Sequence, residues 1–408
     1  MRSQPFRPEL PATRWRRYVA LLCATSLTAL AAVAMLNYQV DPYLIHQWDT
    51  AKVRQLRPGR EKLGAWGKTY ALARLRPAVV YAGNSRTELG LPTATAQFGA
   101  RTVFNAGLSG ASLGDAMAMV AHAVTVGPPA VVVWGIDAPS FSLEVGNTDF
   151  DRALVATDRW YLWRRTLIDL QRAVTPDMTL DTLRLLRGTF GAICHSSLAL
   201  YGQRDDVCVR DRIDGWGGTR GAVLPRIREF IRGAGPTRQA LAAFDQSLGR
   251  LCGARVQVRA YINPTHAMTV DALYRAGKGA ALEQWQRDLA ALFERYRDRG
   301  CDARVVDFSG FNSITTEPVP QASGRAAMTY YWETSHYRTN VGHLILARLA
   351  GNLSVPSDFG VELAPQTVAL HQARQRVARA RYHREHPVEA AAVMALVQQA
   401  PVPVLPVR

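Results

Sequence analysis

The sequence predicts an α/β protein in which a parallel sheet is covered by helices on both faces. Two observations lead to this prediction. Short apolar runs rich in β-branched residues recur along the chain, which is typical of strands buried on both faces of a sheet. Helical stretches such as Leu113–Val126 and Ala280–Arg299 separate these runs, and the alternation of strand and helix is typical of a parallel sheet.

Five apolar runs are interpreted as strands, and we expect them in the spatial order 2-1-3-4-5. In chain order they are Ala78–Ala82, Thr102–Asn105, Ala130–Trp134, Val256–Ile262 and Arg304–Phe308. Ligands of open parallel sheets bind at the carboxyl ends of the strands, so the residues that follow each strand are the first candidates for a functional site.

The composition indicates a globular protein with a substantial core. The chain has 408 residues, of which 48% are hydrophobic and 20% charged, and its net charge is +16. Nearly all of the positive charge comes from scattered arginines, since lysine occurs only at positions 52, 62, 68 and 278. Without a Lys/Arg block or an aromatic ladder, the charge does not favour a nucleic-acid partner.

The N-terminus predicts a membrane anchor. Residues 1–17 contain five arginines, and Tyr18–Leu36 follow without a charge. The uncharged length is sufficient to span a bilayer, and the positive-inside rule places residues 1–17 in the cytoplasm. We therefore expect a single-pass protein of a bacterial inner membrane with most of its chain in the periplasm. The alternative is a cleaved signal peptide, with the small residues at 32–34 as the cleavage site.

The rest of the chain divides into three parts. Residues 37–77 are interpreted as a connecting segment and residues 78–354 as the α/β domain. A mostly helical insertion, at about 141–250, interrupts the strand–helix rhythm and is rich in Trp, Arg and Leu. Residues 355–408 are expected to form a basic, helical C-terminal tail.

The cysteines predict disulfides. Cys23 lies in the anchor, whereas Cys194, Cys208, Cys252 and Cys301 would lie in an oxidising compartment,. Four cysteines allow three pairings. We favour Cys252–Cys301, because each precedes a predicted strand, together with Cys194–Cys208. No His/Cys spacing resembles a zinc site, so neither a metal nor a cofactor is expected.

Two widely separated segments carry the candidate catalytic residues. Ser85 directly follows the first strand and begins a helix, where its backbone N–H can face a developing oxyanion; the alternative is an ordinary helix-capping serine. Glu333 and His336 precede the apolar helix Val341–Leu349. A carboxylate three residues before a histidine can orient the imidazole as a catalytic base.

Further polar residues follow the other strands. Asp137 and His266 come after the third and fourth strands, and Arg86 is the neighbour of Ser85. We expect these three side chains to be able to line the same cleft. For Asp137 the alternative is a helix cap, and for His266 it is a buried structural histidine.

Together, these motifs resemble the SGNH (GDSL-like) hydrolase superfamily over roughly residues 76–351, apart from the insertion. The nucleophile block of that family is Gly-Asp-Ser, which here begins at Gly83 and reads Gly-Asn-Ser. The glycine of its second block is similar to Gly107. Its last block, Asp-x-x-His, is similar to Glu333 through His336.

The resemblance implies a three-layer, flavodoxin-like fold and a division of roles among the site residues. Ser85 would be the nucleophile, His336 the base and Glu333 the residue that orients the base. The backbone N–H groups of Ser85 and Gly107 would form the oxyanion hole, with Asn105 as a further donor.

Two positions depart from the family pattern. Glu333 replaces the usual Asp but still supplies a carboxylate. Asp137 stands where the family has the Asn whose amide completes the oxyanion hole, and an ionised Asp accepts hydrogen bonds but cannot donate them. This departure puts the oxyanion hole, and with it the esterase interpretation, in question.

The anchor and the insertion are similar to those of membrane-anchored proteins that act on envelope polymers, namely the D-alanyl-lipoteichoic acid transfer and polysaccharide O-acetylation proteins. This similarity implies acyl transfer to or from an envelope polysaccharide, with a membrane-bound O-acyltransferase as a partner. Water as the acceptor would make the protein an esterase, and a glycan hydroxyl would make it an O-acyltransferase. The alternative is a non-catalytic accessory protein that binds a glycan or the transferase.

Overall fold

The computed structural model describes residues 12–46, 63–144, 146, 150–158, 160–189, 196, 200–321, 327–352 and 354–399. The chain forms two compact units. The first comprises Met1–Arg60 and Leu162–Gly191, and the second comprises Glu61–Tyr161 and Ala192–Arg408.

The described residues form the following regular elements. The helices are α1 (Ala12–Val40), α2 (Ala65–Leu75), α3 (Ser85–Gly90), α4 (Leu113–Val126), α5 (Tyr161–Ala173), α6 (Pro176–Leu186), α7 (Val207–Gly215), α8 (Gly218–Arg232), α9 (Arg238–Gly253), α10 (Ala267–Arg275), α11 (Gly279–Asp298), α12 (Thr339–Leu349), α13 (Val368–Glu385) and α14 (Pro387–Gln399). The strands are β1 (Val79–Ala82), β2 (Val103–Asn105), β3 (Val131–Ile136), β4 (Gln257–Ile262), β5 (Ala303–Asp307) and β6 (Val361–Glu362).

The first unit contains α1, α5 and α6. Within α1, the 28 residues Thr13–Val40 are long and apolar enough to cross a membrane. Hydrogen bonds join the C-terminal end of α1 to α5 and α6. Asn37 Nδ2 donates to Ala173 O at 2.8 Å and to Thr179 Oγ1 at 2.9 Å. The first residues of the expected connecting segment therefore belong to a compact unit.

The second unit contains a six-stranded sheet in the order β2-β1-β3-β4-β5-β6. The first five strands are parallel, which confirms the order predicted from the sequence. The sixth strand, β6, runs antiparallel to β5 and was not predicted. A strand of two residues is too short to show a periodic pattern.

Helices cover both faces of the sheet. On one face Trp134 of β3 packs edge-on against Phe244 of α9, with ring centroids 5.0 Å apart. Helix α11 completes this layer by burying Trp285 and Phe293, which are eight residues apart and so share a side of the helix. On the other face, Tyr81 and further buried side chains of the strands form a hydrophobic core with residues of α8, α10, α12 and α14.

The expected insertion at 141–250 is divided among different parts of the fold. Helices α5 and α6 belong to the first unit, and α7 and α8 to the second. Helix α9, at Arg238–Gly253, connects β3 to β4 and packs on β4. It is therefore a regular crossover helix of the sheet, and the predicted end of the insertion near residue 250 was too late.

The C-terminal residues are an integral part of the second unit, so the predicted boundary after residue 354 was wrong. His371 Nε2 lies 2.9 Å from Asp307 Oδ2, with both side chains buried. Glu389 Oε1 accepts a hydrogen bond from the backbone N–H of Val319 at 2.8 Å. These contacts attach the last two helices directly to the sheet and its loops.

A disulfide joins Cys252 and Cys301, whose Cα atoms are 5.5 Å apart. These cysteines precede β4 and β5, which are parallel neighbours, so the bridge lies at the amino-terminal edge of the sheet. The expected Cys194–Cys208 pairing falls outside the described residues. Cys23 is free and exposed on α1.

Candidate active site

A tight turn after β1 presents Ser85 at the start of α3. Gly83 has φ +147°, and a Cβ there would lie 2.3 Å from Thr87 Oγ1 and 2.9 Å from Gly135 O. Only glycine fits this turn without strain. Asn84, rather than Ser85, caps the helix, because its side chain accepts the backbone N–H of Arg86 at 3.1 Å. The Ser85 hydroxyl is therefore not used as a cap.

Ser85, His336 and Glu333 form a continuous chain of hydrogen bonds. Ser85 Oγ lies 2.9 Å from His336 Nε2, within the reach needed for proton transfer. His336 Nδ1 is hydrogen-bonded to Glu333 Oε1. The other carboxylate oxygen of Glu333 accepts the backbone N–H of Ser335 at 2.7 Å. The structure thus brings together the three residues expected to carry the chemistry.

The surroundings of Glu333 keep it ionised. Burial raises the pKa of Glu333, but its interactions with His336 and the charge of Arg226 outweigh burial and hold this pKa below its ordinary value. Arg226 Nε lies 3.5 Å from Glu333 Oε1. A carboxylate accepts hydrogen bonds only, so it selects the imidazole tautomer with hydrogen on Nδ1. His336 Nε2 is then free to accept the proton of Ser85.

Two buried tyrosines hold the turn that carries His336. Tyr331 donates its hydroxyl hydrogen to Pro264 O at 3.0 Å. Tyr337 lies with its hydroxyl 3.1 Å from that of Tyr261 on β4. Both turn tyrosines are fully buried, so packing and hydrogen bonds together fix the position of the imidazole relative to the sheet.

Only one of the expected oxyanion donors is available. Among the described residues, no acceptor is found for the backbone N–H of Ser85. The N–H of Gly107 instead donates to Asn105 Oδ1 at 3.0 Å. Asn105 Nδ2 in turn donates to Thr87 O at 2.8 Å and to Leu91 O at 3.1 Å. The oxyanion roles expected for Gly107 and Asn105 were therefore wrong, because Asn105 Nδ2 fastens α3 to β2 while Asn105 Oδ1 occupies the Gly107 N–H.

Asp137 acts on the turn beside Ser85. Its carboxylate accepts Asn84 Nδ2 at 2.7 Å and the backbone N–H of Ser140 at 3.3 Å, so it caps a short 3₁₀ helix. Arg86 Nη2 lies 3.4 Å from the same carboxylate. Asp137 therefore orients the residue before the nucleophile and caps a helix, as in the alternative stated for it, and it is not among the residues that line the cleft that contains Ser85.

Arg86 and His266 do not line the cleft that contains Ser85. Arg86 is buried, donates to Thr265 Oγ1 at 2.8 Å and lies over the ring of Phe230. His266 is fully buried, and its Nε2 is 2.7 Å from Glu317 O. Burial lowers the pKa of His266. The expectation that these two side chains line the cleft was wrong, because both form part of the core.

Ser85, Glu333 and His336 open onto a cleft with about 420 Å³ of empty space, which includes open solvent. The remaining lining residues are four apolar side chains and three arginines, namely Leu89, Val209, Ile213, Trp216, Arg204, Arg212 and Arg226. Val209, Ile213 and Trp216 are separated by four and three residues, which is a helical spacing. From the sequence, this spacing could have predicted that one side of α7 is apolar. The contribution of the arginines to the cleft was not predicted.

A buried cluster of charges holds α3 in place, and it was not predicted either. We call it the Glu88 cluster. Glu88 accepts hydrogen bonds from Lys68 Nζ at 3.0 Å, Ser109 Oγ at 2.6 Å and Ser196 Oγ at 2.5 Å. Arg204 Nη2 lies 3.1 Å from its other oxygen. The available sequence signal was that Lys68 is one of only four lysines in an arginine-rich chain.

The Glu88 cluster bears directly on the nucleophile. Glu88 is three residues after Ser85 on the same short helix, and its side chain is 3% exposed. Burial raises the pKa of Glu88, but the charges of Lys68 and Arg204 and the hydroxyl donors outweigh it, so that its pKa lies below the ordinary value. An ionised, fully hydrogen-bonded Glu88 therefore fixes the position of α3, and with it that of Ser85.

No group of three or more His, Cys, Asp or Glu side chains suitable for a metal ion occurs in the part of the chain that the structure describes. No protein-family model matches the chain, and a comparison with curated proteins finds no match.

Proposed function

We propose that this protein is a membrane-anchored, extracytoplasmic serine esterase or O-acyltransferase of the SGNH type, which acts on acyl esters of an envelope polysaccharide. The observation that carries the proposal is the hydrogen-bonded chain Ser85–His336–Glu333 at the carboxyl edge of the sheet. Supporting observations are the order of the five parallel strands and the position of the serine immediately after β1.

The reaction begins with attack by Ser85 on the ester carbonyl. His336 Nε2 takes the hydroxyl proton while Oγ forms a bond to the carbonyl carbon, and the Ser85 N–H donates to the oxyanion. The tetrahedral intermediate then expels the alcohol oxygen, which takes the proton from His336 and leaves the acyl group on Ser85. Water or a glycan hydroxyl then attacks the acyl-serine while His336 takes its proton. The second tetrahedral intermediate expels Ser85 Oγ, which takes the proton back from His336, and the free acid or the acylated glycan leaves.

The cleft favours a substrate that carries negative charge. Of the three arginines that line it, Arg204 pairs with Glu88 and Arg226 with Glu229 and Glu333. The exposed Arg212 is therefore the cation left for a substrate anion, and it lines the cleft together with Trp216, which is 41% exposed. Guanidinium groups bind carboxylates and phosphates with paired hydrogen bonds. The exposed indole offers a flat apolar surface to a sugar ring. We therefore infer that the ester belongs to an acidic glycan, with acetyl as the expected acyl group.

Two features support an extracytoplasmic location. Helix α1 has the length and composition of a membrane span, with arginines before it. The Cys252–Cys301 disulfide is of a kind that persists in oxidising compartments. In this arrangement, the bulk of the chain lies in the periplasm of a bacterial inner-membrane protein, where a membrane-bound O-acyltransferase is the expected partner.

The test is replacement of the nucleophile in the full-length protein. Ser85→Ala is expected to lower kcat on a chromogenic acetyl ester by roughly 10³-fold or more, because the acyl-serine cannot form. A fluorophosphonate probe should label the wild-type protein at Ser85. The matched control is Ser313→Ala, since Ser313 is an exposed serine paired with Asp358 and should leave turnover unchanged.

A second candidate function is a glycan-binding accessory, which the small number of free oxyanion donors favours. If wild-type protein and Ser85→Ala bind an acidic glycan equally and neither turns over an ester nor changes the O-acyl content of the envelope polysaccharide, the serine chemistry is rejected in favour of this alternative.

A further inference from the structure

Helix α5 in the first unit has its apolar side chains on the outside. Its four exposed apolar residues are Leu162 at 61%, Trp163 at 62%, Leu167 at 48% and Leu170 at 63% exposed. Arg165 of the same helix is only 5% exposed. In a helix of a soluble protein the apolar stripe faces the core and the charged residues face water, so α5 shows the reverse arrangement. We call the exposed set the α5 apolar face.

The end of α5 is fixed to the end of the membrane-length helix. Asn37 is the first polar residue after the uncharged run Tyr18–Leu36, and its side chain donates to the backbone oxygen of Ala173, the last residue of α5. The run of nineteen residues is about 28 Å long at 1.5 Å per residue, close to the thickness of a bilayer core. Ala173 therefore lies at the depth where α1 leaves the hydrocarbon.

Among the described residues of the first unit, α5 packs less closely on α1 and α6 than these two helices pack on each other. In the described part of the first unit, α1 packs on α6, whereas α5 makes no extensive packing with either of these helices. The α5 apolar face is thus open along the length of a helix of about 20 Å whose C-terminus is attached at the membrane boundary.

We propose that α5 lies on the bilayer surface, with the α5 apolar face inserted at the boundary between lipid headgroups and acyl chains. Trp163 belongs to the residue type enriched at this boundary. Arg164 lies beside the face, three residues before Leu167, and Arg172, nine residues after Trp163, lies on the opposite side of the helix,. An apolar side opposed by a charged side is typical of helices that lie in the plane of the interface. The occupant of the face is lipid, and the inference is independent of the serine chemistry.

Photo-crosslinking in native membranes tests this inference on the full-length chain. The photoreactive residue p-benzoylphenylalanine replaces Trp163 or Leu167 one at a time, and adducts are identified by mass spectrometry. The matched control replaces Arg172, which is nine residues after Trp163 and five after Leu167, and so about 180° and 140° around the helix from them. A second control replaces Gln284, an exposed residue of α11. Lipid adducts are expected at 163 and 167 and at most weakly at the two control positions.

Three results would overturn the inference. Adducts of residues 163 and 167 with another protein, or with a second copy of the chain, would show that a protein covers the face. Lipid adducts no more abundant than at 284 would show that the face remains in water. Equal lipid adducts at 167 and 172 would show a helix immersed in lipid rather than lying on its surface. If the Trp163 variant does not accumulate, the Leu170 position replaces it.

Discussion

Glu333→Gln provides a sharp test of the catalytic geometry, because it changes the charge of one buried group and almost none of its shape. One carboxylate oxygen accepts the Nδ1 hydrogen of His336, and the other accepts the N–H of Ser335. A glutamine has only one oxygen. If that oxygen faces Ser335, the amide NH₂ faces Nδ1, which must then be unprotonated. The imidazole proton moves to Nε2, and His336 can no longer accept the proton of Ser85.

The loss can be worked out from these contacts. Turning the amide restores the reactive tautomer but places NH₂ against the Ser335 N–H, which costs about 1–3 kcal/mol for unsatisfied buried donors. The imidazolium that forms during the reaction also loses a charged hydrogen bond, worth about 1.5–3 kcal/mol. The sum of about 2.5–6 kcal/mol corresponds to a fall in kcat of roughly 10²–10⁴-fold, at 1.36 kcal/mol per factor of ten.

The assay is the kcat of acetyl-ester hydrolysis by the full-length protein, with circular dichroism to confirm folding. Glu229→Gln is the matched control, because Glu229 also pairs with Arg226, at 2.7 Å, yet is exposed and makes no contact with His336. It should change kcat by less than about twofold, as expected of an exposed ion pair. If Glu333→Gln lowers kcat by less than about tenfold while Ser85→Ala abolishes turnover, the tautomer argument is refuted.

Four further predictions concern stability and specificity. Lys68→Met should lower the free energy of unfolding in urea by about 3–5 kcal/mol, because it removes a partner from a buried charge pair. In the wild-type protein, the free energy of unfolding should also fall as the pH drops below 4.5. Folding depresses the pKa of Glu88, so the stabilisation by ionised Glu88 is present above its unfolded-state pKa and is lost as the carboxylate becomes protonated,. Replacing Cys252 and Cys301 by Ala opens a loop of 49 residues and should cost about 4 kcal/mol of stability, while kcat stays unchanged because the bridge lies at the opposite edge of the sheet. Arg212→Ala should reduce kcat/KM for acyl esters of an acidic glycan more than for those of a neutral glycan.

The three predictions that involve substitutions each have a control and a contrary outcome. Arg101→Met removes an exposed cation, and a loss equal to that of Lys68→Met would remove the special role of the Glu88 cluster. Reduced wild-type protein should match the double cysteine variant in urea; a parallel drop in kcat would mean that the bridge also shapes the site. For Arg212→Ala, equal losses on the two classes of ester would argue against recognition of negative charge.

The sequence predicted the parts of the molecule that depend on local pattern. Five strands could be identified because each is an uninterrupted β-branched run, and Ser85 and His336 could be paired because strand carboxyl ends share one edge. The role of α9 could not be distinguished from that of the insertion, since a crossover helix and an inserted helix show the same periodicity. The role of Asn105, and through it that of Gly107, depends on a contact with the distant residue Leu91. The spacing of residues in the sequence does not reveal such a contact. The Glu88 cluster likewise joins Lys68 to a distant segment.

The antiparallel strand β6 has a consequence for how the chain becomes a finished protein. It pairs with Val306 and Asp307, and the N–H of Leu363 donates to Val305 O at 2.9 Å, so that it covers the open edge of β5. Open strand edges are where separate chains join into aggregated sheets. A chain still being synthesised exposes this edge until β6 has been made, and a product cut after residue 354 exposes it permanently. The C-terminal residues therefore protect the sheet against self-association, and native assembly of the sheet is completed only near the end of synthesis.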